Sequence, residues 1–468
     1  MTKRRLILLL VVLIGAMALV IASCGNGTTT TTSAGTATTA TTATTVPSSS
    51  ETTATTASET TSSSAATTSG AVDLATVKKL LNIPDGAAAA QGVTINLGAS
   101  LPLSGGGAFY GEHDARGIKL AVQQIEAMGG PHFNVTYYDI QMGVAERGID
   151  AVRKMASNNT HAALVAWCAA SGAQIAPAQE NKILMLDGGG GTSVLWQGQD
   201  YFWGTRAIPS IDQVKGTLTY IKQKMPNAKN VALLQQDYGT AMINPIADNA
   251  KKCIADLGMS YTGAVVVPVD ATEFSDAIAK LKAMSPDVIL CLTVDGPAPV
   301  AFMKQYQTSG MNAIVVGSDY TIDNAKLAGA AWEKNYWYAG EEFFADQPGS
   351  AWTQLFIDTY RKAYGSDPDF YGANYYEDTF AVWDLIRRVI ASGGDPNDGE
   401  ALQNALKANP TFMSVYGGSG DTVATYSLDP TSHSVASKTN YVFAVKNNLP
   451  DLLASFQGPS GSDLKIVK

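Results

Sequence analysis

ASLPLSGGGAFYGEHDARGIKLA, residues 99–121, is the stretch on which the fold turns. Its first residues close an apolar, β-rich run, Val93–Leu101, that predicts a strand. Pro102 and the glycines Gly105–Gly107 then break the run into a loop. From Tyr110 the spacing changes: Ile118, Val122, Ile125 and Met128 recur at helical intervals, and Gly129-Gly130-Pro131 stops the helix. Strand, glycine-rich loop and helix in that order place backbone N–H groups and a helix N-terminus beyond the carboxyl end of a strand, where a ligand can be met.

The same alternation continues outward. Strands are predicted at Phe133–Ile140, Ala162–Cys168, Ile183–Leu186 and Tyr201–Ala207, with helices at Glu146–Ser157 and Ser171–Asn181. The rhythm restarts with a helix at Asp212–Lys224. Strands follow at Val231–Gln236, Tyr261–Pro268, Asp287–Val294 and Ala313–Gly317, separated by helices at Ala241–Leu257, Phe274–Met284 and Val300–Thr308. Such regularity predicts an α/β protein whose parallel sheets are covered by helices on both faces. With 468 residues the chain exceeds one ordinary domain, so two lobes are expected. The rhythm breaks near the end. Helices at Trp352–Tyr364, Tyr371–Ser392 and Gly399–Ala408 precede β-like stretches at Thr422–Ser427 and Asn440–Val445, a tail expected to knit the lobes together.

Pro102-Leu103-Ser104-Gly105, Tyr110-Gly111 and the helix ending at Gly129-Gly130 together resemble the opening of the branched-chain amino-acid-binding (Leu/Ile/Val-binding) proteins of ABC uptake transporters. Further stretches agree in order: Ala176–Leu186, Gln235-Gln236-Asp237-Tyr238-Gly239-Thr240, Pro286-Asp287-Val288-Ile289-Leu290 and Val316-Gly317-Ser318-Asp319-Tyr320. The resemblance runs from Val93 to the C-terminus. It implies the two-lobed type I periplasmic-binding fold, each lobe a parallel sheet flanked by helices, with three inter-lobe crossovers. It also implies a cleft that closes by hinge motion on a small polar solute, an amino acid or related compound, for delivery to an ABC permease. By that resemblance Tyr110 lines the cleft, Tyr238 closes over the ligand and Asp319 receives a ligand ammonium. A carboxylate suits the last role because a desolvated ammonium needs a charged acceptor.

Two stretches depart from the family pattern. Where the family grips the ligand carboxylate with a serine, this chain has Cys168-Ala169-Ala170-Ser171, so the hydroxyl is displaced. The next gripping loop is Asp187-Gly188-Gly189-Gly190-Gly191-Thr192. An aspartate there repels a carboxylate, although the backbone N–H groups of Gly189–Gly191 and the Thr192 hydroxyl remain as donors. A ligand other than an α-amino acid is therefore open, and Trp167 and Tyr320 suit a larger or flatter molecule. His113 and Asp114 lie beside the loop and are expected on the helix surface.

The N-terminus carries its own signals. Lys3, Arg4 and Arg5 precede the apolar stretch Leu6–Ile21, and Ile21-Ala22-Ser23-Cys24 follows, which reads as a lipoprotein signal peptide (1–23) with lipidation at Cys24. Residues 24–71 are almost wholly Thr, Ser and Ala and read as a disordered tether. As a flexible chain, some 45 such residues reach roughly 35–40 Å. Residues 72–92 are a lead-in. Lobe 1 is expected over 93–208 plus about 341–410, and lobe 2 over 209–340 plus about 411–468. These features predict an extracytoplasmic, membrane-anchored monomer.

Composition narrows the function classes. Loss of the three N-terminal cations takes the formal charge from −9 to −12, which argues against a nucleic-acid partner. The histidines are His113, His132, His161 and His433, with no metal-binding spacing among them or with the cysteines. No Gly-x-Ser-x-Gly elbow occurs, and Gly188–Gly191 lacks the Gly-Lys-[Ser/Thr] ending of a phosphate loop. No catalytic residue, cofactor or metal is expected. A sensory lipoprotein of the same fold is the alternative, and an enzyme on this scaffold a more distant one.

Overall fold

The computed structural model describes residues 72–468 apart from residues 142, 167, 191–193, 195–197, 209, 319 and 347–348 and the side chains of residues 106, 168 and 169. The leader, Cys24 and the tether lie outside the described residues, as do Trp167, Gly191, Thr192 and Asp319.

Lobe 1 is built on five strands: β1 (Thr94–Leu101), β2 (His132–Asp139), β3 (Ala162–Val165), β4 (Leu184–Asp187) and β5 (Phe202–Gly204). Their order is β2-β1-β3-β4-β5 and every pairing is parallel. β3 and β4 are buried along their whole length, as strands covered on both faces must be. The second sheet has β6 (Asn230–Gln236), β7 (Ser260–Val267), β8 (Val288–Leu292), β9 (Ile314–Gly317) and β10 (Tyr336–Gly340) in the parallel order β7-β6-β8-β9-β10.

The tail extends this sheet with antiparallel strands. β13 (Val435–Lys446) pairs with β10 and carries β14 (Leu449–Gly458) and β15 (Ser462–Ile466). β11 (Thr411–Ser419) and β12 (Thr422–Leu428) pair with each other and, through Ser427 and Leu428, with β13. The expected boundary near residue 411 assigns these two strands to lobe 2. Their apolar residues Phe412, Val415, Tyr416, Tyr426 and Leu428 instead share the core of Trp352, Phe356, Tyr376 and Val382, which belongs to lobe 1. β13 makes the crossing itself: Val435 packs in that core, whereas Val442 and Phe443 pack in lobe 2.

Two long helices, Ala108–Ala127 and Phe370–Ala391, cover lobe 1 and pack directly on each other. The lead-in docks on the same lobe. Asp73 caps the helix Leu74–Leu80 by accepting from Thr76 N at 2.7 Å, and the Trp383 indole N–H donates to the Ala89 carbonyl at 2.9 Å. The long-helix crossing is close because Gly117 faces Gly372: a Cβ at Gly117 would fall onto the Gly372 carbonyl oxygen. Gly117→Ala must push the helices apart. We expect it to lower stability by about 1–3 kcal/mol in urea denaturation, the range for overpacking; an unchanged midpoint would mean the crossing relaxes freely.

Candidate functional site

In a parallel sheet the loops after each strand share one edge, and the loops after β1, β3, β4 and β5 form the inner edge of lobe 1. The first is pinned to its neighbour strand: Asp139 accepts from Leu103 N at 3.0 Å and from Ser104 Oγ at 2.5 Å. The helix that follows opens with Phe109 and Tyr110. Tyr110 is buried, its ring 4.9 Å from Tyr371 and edge-on to Phe109 at 5.6 Å.

Beyond β4 the chain turns on Asp187, whose Oδ1 accepts from Gly189 N at 2.8 Å and from Gly190 N at 2.7 Å. Donors expected for a ligand carboxylate are thus engaged by the chain's own carboxylate. The loop is held from outside as well, Asn374 donating to the Gly188 carbonyl at 3.3 Å and Arg206 to that of Gly189 at 3.1 Å. Gly188 is required here because a Cβ would lie 2.7 Å from Asp378 Oδ2. Cys168 and Ala169 open the helix Cys168–Glu180, and Ala170 and Ser171 are fully buried in its first turn. Ser171 adjoins Asp187 without the geometry of a hydrogen bond.

Asp114, expected on the helix surface, is 1% exposed and points inward; helix Phe370–Ala391 covers the face it occupies. Burial pushes its carboxyl well up, and Asp369, Asp187 and Asp378 add to this while Arg206 opposes it. Burial likewise raises Asp187, against the pull of the neighbouring Ser171 hydroxyl, the two amides and Arg206. Arg206 lies 4.5 Å over the Phe370 ring and 5.6 Å over Tyr371. Periodicity gave no hint of this cluster, because its members are scattered between positions 114 and 378 of the chain.

Between the lobes lies a cavity of about 750 Å³, within the size range of ligand pockets. Lobe 1 lines it with Phe109, His113 and Tyr371, and lobe 2 with Tyr320, Thr321 and Leu452. His113 therefore faces this cavity rather than the outer helix surface, its Nδ1 2.6 Å from Asp369 Oδ2. Tyr320 is anchored by its hydroxyl to the Asn448 carbonyl at 2.9 Å. Tyr238, half-buried, stands in the loop after β6.

Behind the cavity the three crossings meet. Lys438 of β13 lies 2.9 Å from Glu341 Oε2, which follows β10, and 2.8 Å from Glu377 Oε1 of helix Phe370–Ala391. It also donates to the Thr205 carbonyl at 3.0 Å and to Asn374 Oδ1 at 3.2 Å. Glu341 in turn accepts from Ala207 N.

Two α/β lobes joined by three crossings, with a cavity between their loop edges, define a two-lobed solute-binding protein. A profile of the periplasmic binding protein family matches residues 94–446, and the chain belongs to that family. It is similar to the Leu/Ile/Val-binding protein homolog 1 of Brucella suis, 26% identical over 69% of this chain and 84% of the relative. Among solved structures it resembles the branched-chain amino acid transporter substrate-binding protein LivJ of Streptococcus pneumoniae in complex with isoleucine (TM-score 0.62, 22% identity, 77% of this chain and 99% of that one). It also resembles a solute-binding protein of R. palustris in complex with 4-hydroxybenzoate (TM-score 0.65, 19% identity, 78% and 96%). The type I periplasmic fold read from the sequence is thus that of the Leu/Ile/Val-binding proteins, and the family's place is outside the cytoplasm.

The buried carboxyls make stability depend on pH. Burial pushes Asp212 up to about 7, against the Ile208 N–H that donates to it. Burial, outweighing Lys438, pushes Asp378 up to about 8. An unfolded chain releases these protons near pH 4, so between about pH 4 and 8 the unfolded state binds fewer protons and stability falls as pH rises. We expect the urea midpoint to drop from pH 5 to pH 8 and Asp378→Asn to flatten that slope. A midpoint that climbs over this range would contradict the burial argument.

Proposed function

We propose that this chain is the extracytoplasmic, lipid-anchored solute-binding component of an ABC uptake transporter, closing its lobes on a small polar solute. The observation that carries the reading is the inter-lobe cavity, walled from one side by Phe109, His113 and Tyr371 and from the other by Tyr320 and Thr321. Tyr110, Ala170, Ser171, Gly190 and Tyr238 are not among the residues that line this cavity; with Cys168, Ala169, Gly191, Thr192 and Asp319 they are the contacts proposed to meet the solute as the lobes close. Closure excludes water, strengthens the polar contacts and creates the surface a permease recognises. The solute is bound and released without chemical change.

A thermal-shift panel of amino acids, aromatic acids, amides and amines tests this. A ligand at a thousandfold excess over its dissociation constant adds about 4 kcal/mol, so at least one compound is expected to raise Tm saturably and to be recovered intact. Turnover of the bound compound would make the chain an enzyme instead, and silence across the panel would remove the solute-binding reading.

The anchor is tested separately. Cys24→Ser is expected to move the protein from the membrane to the soluble fraction and to abolish labelling by a fatty-acid probe. Retention of both would place the anchor elsewhere.

A further inference from the structure

A second cavity, of about 370 Å³, opens on lobe 1 where the lead-in, helix Phe370–Ala391 and β11 meet, and it shares no lining residue with the cavity between the lobes. One wall, Leu81, Asn82 and Ile83, belongs to the lead-in. That segment precedes the residues that match the family, so the cavity is completed from outside the shared fold. The buried part of the lining is aromatic: Trp352, Phe380, Trp383 and Phe412 are each at most 6% exposed. Both indole N–H groups are already spent, Trp352 donating to the Tyr376 hydroxyl and Trp383 to the Ala89 carbonyl, each at 2.9 Å. These rings therefore offer a visitor carbon surface and no donor.

The charged residues of the lining are Asp384, Arg387 and Arg388. Arg388 is committed to the protein. It donates to the Asn409 carbonyl and, at 2.7 Å, to the Thr411 carbonyl, and it pairs with Asp384. Arg387 is not. Its Nη1 meets Asp384 Oδ1 only at 3.6 Å, its Nε has no partner, and its side chain makes no hydrogen bond among the described residues. One carboxylate thus serves two guanidiniums, and the one with unspent N–H groups borders an aromatic cavity. A guanidinium is a planar fork that matches a carboxylate with two parallel hydrogen bonds. The volume lies near the lower end of the range for ligand pockets, about 300–1,000 Å³, which suits a ring with a short chain.

We propose that this cavity is a second binding site, separate from the cleft, for a small carboxylate with an apolar body, its carboxylate at Arg387 and its body against the aromatic lining. The site does not depend on the solute-binding reading of the cleft.

4-Phenylbutyrate, 4-phenylbutyramide and 4-phenylbutylamine share one body and are negative, neutral and positive. Titration calorimetry of each into the full chain is expected to rank the carboxylate at least about tenfold tighter than the amide, with the amine weakest, because a charge-assisted hydrogen bond contributes that much. Arg387→Gln is expected to remove the preference for the carboxylate. Thr425→Trp, at the exposed rim, is expected to weaken all three compounds by a similar factor. Circular dichroism checks that both variants fold. An amine that binds as tightly as the carboxylate overturns the proposal, as does the absence of binding by all three. A carboxylate preference that survives in folded Arg387→Gln, or affinities unmoved by folded Thr425→Trp, would place the binding elsewhere on the chain, the cleft included, and overturn it as well.

Discussion

The position of Lys438 is the constraint on which the two-lobed arrangement depends. Its side chain is 2% exposed and the two glutamates it contacts are fully buried. Burial opposes its charge, but Glu341 and Glu377 outweigh burial and hold the ammonium protonated. Each buried ion costs several kcal/mol of lost hydration, and the mutual attraction offsets this only when the remaining polar atoms are also satisfied. Here many are. Glu377 Oε2 accepts from Ser414 Oγ at 2.8 Å and Val415 N at 3.1 Å, and Thr205 and Asn374 supply further acceptors to the lysine. Such a cluster contributes less to stability than to uniqueness. Thr205, Glu341 and Lys438 sit on the three separate crossings, and a lysine that must reach all of its partners fixes how those crossings lie against one another.

A second layer repeats this logic a few residues away. Gln213 donates to Asn440 Oδ1 at 2.7 Å and to the Ala207 carbonyl at 3.2 Å, joining the first crossing to the third. Both layers lie where the chain passes between lobes, and a pivot is where a rotating body moves least. A network placed there would persist through the proposed hinge closure, whereas the same network at the cavity mouth would have to break. Rigidity at the crossings and openness at the loop edges are therefore compatible parts of one device.

The parts of this fold that were legible in the sequence are those set by local chemistry. Most of the alternating strands and helices, the turn after β1 and the helix stop at Gly129 follow from periodicity and from glycine and proline and lie close to where the sequence predicts them. The expected strand Ala162–Cys168 instead ends at Val165, because Cys168 opens the next helix, and β10 was not predicted. The illegible parts depend on partners far away in the chain. β11 and β12 follow the last helix and read as an ordinary tail, yet Phe412 and Tyr426 join the lobe 1 core because helix Phe370–Ala391 presents Tyr376 and Val382 to them. Asp114 looks like one more polar residue on an amphipathic helix; only the second long helix, more than 250 positions on, buries it. Lys438 is one of two lysines in the strand Val435–Lys446, and nothing near it in sequence announces two glutamates. The Asp187 loop was half legible: its glycines marked a donor-rich turn, but not that its own aspartate would use those donors.

That last feature sets what the loop after β4 offers to the cleft. Asp187 Oδ1 accepts from Gly189 N at 2.8 Å and from Gly190 N at 2.7 Å, so the turn is held by the chain itself. Asn374 and Arg206 hold the carbonyls of Gly188 and Gly189 from outside, and burial raises the Asp187 and Asp114 carboxyls. A loop ordered in this way adds little ordering cost when a ligand binds beside it. A ligand shifts a conformational equilibrium only by its differential affinity for the two states, and a loop that is already fixed leaves that difference to the groups that do move.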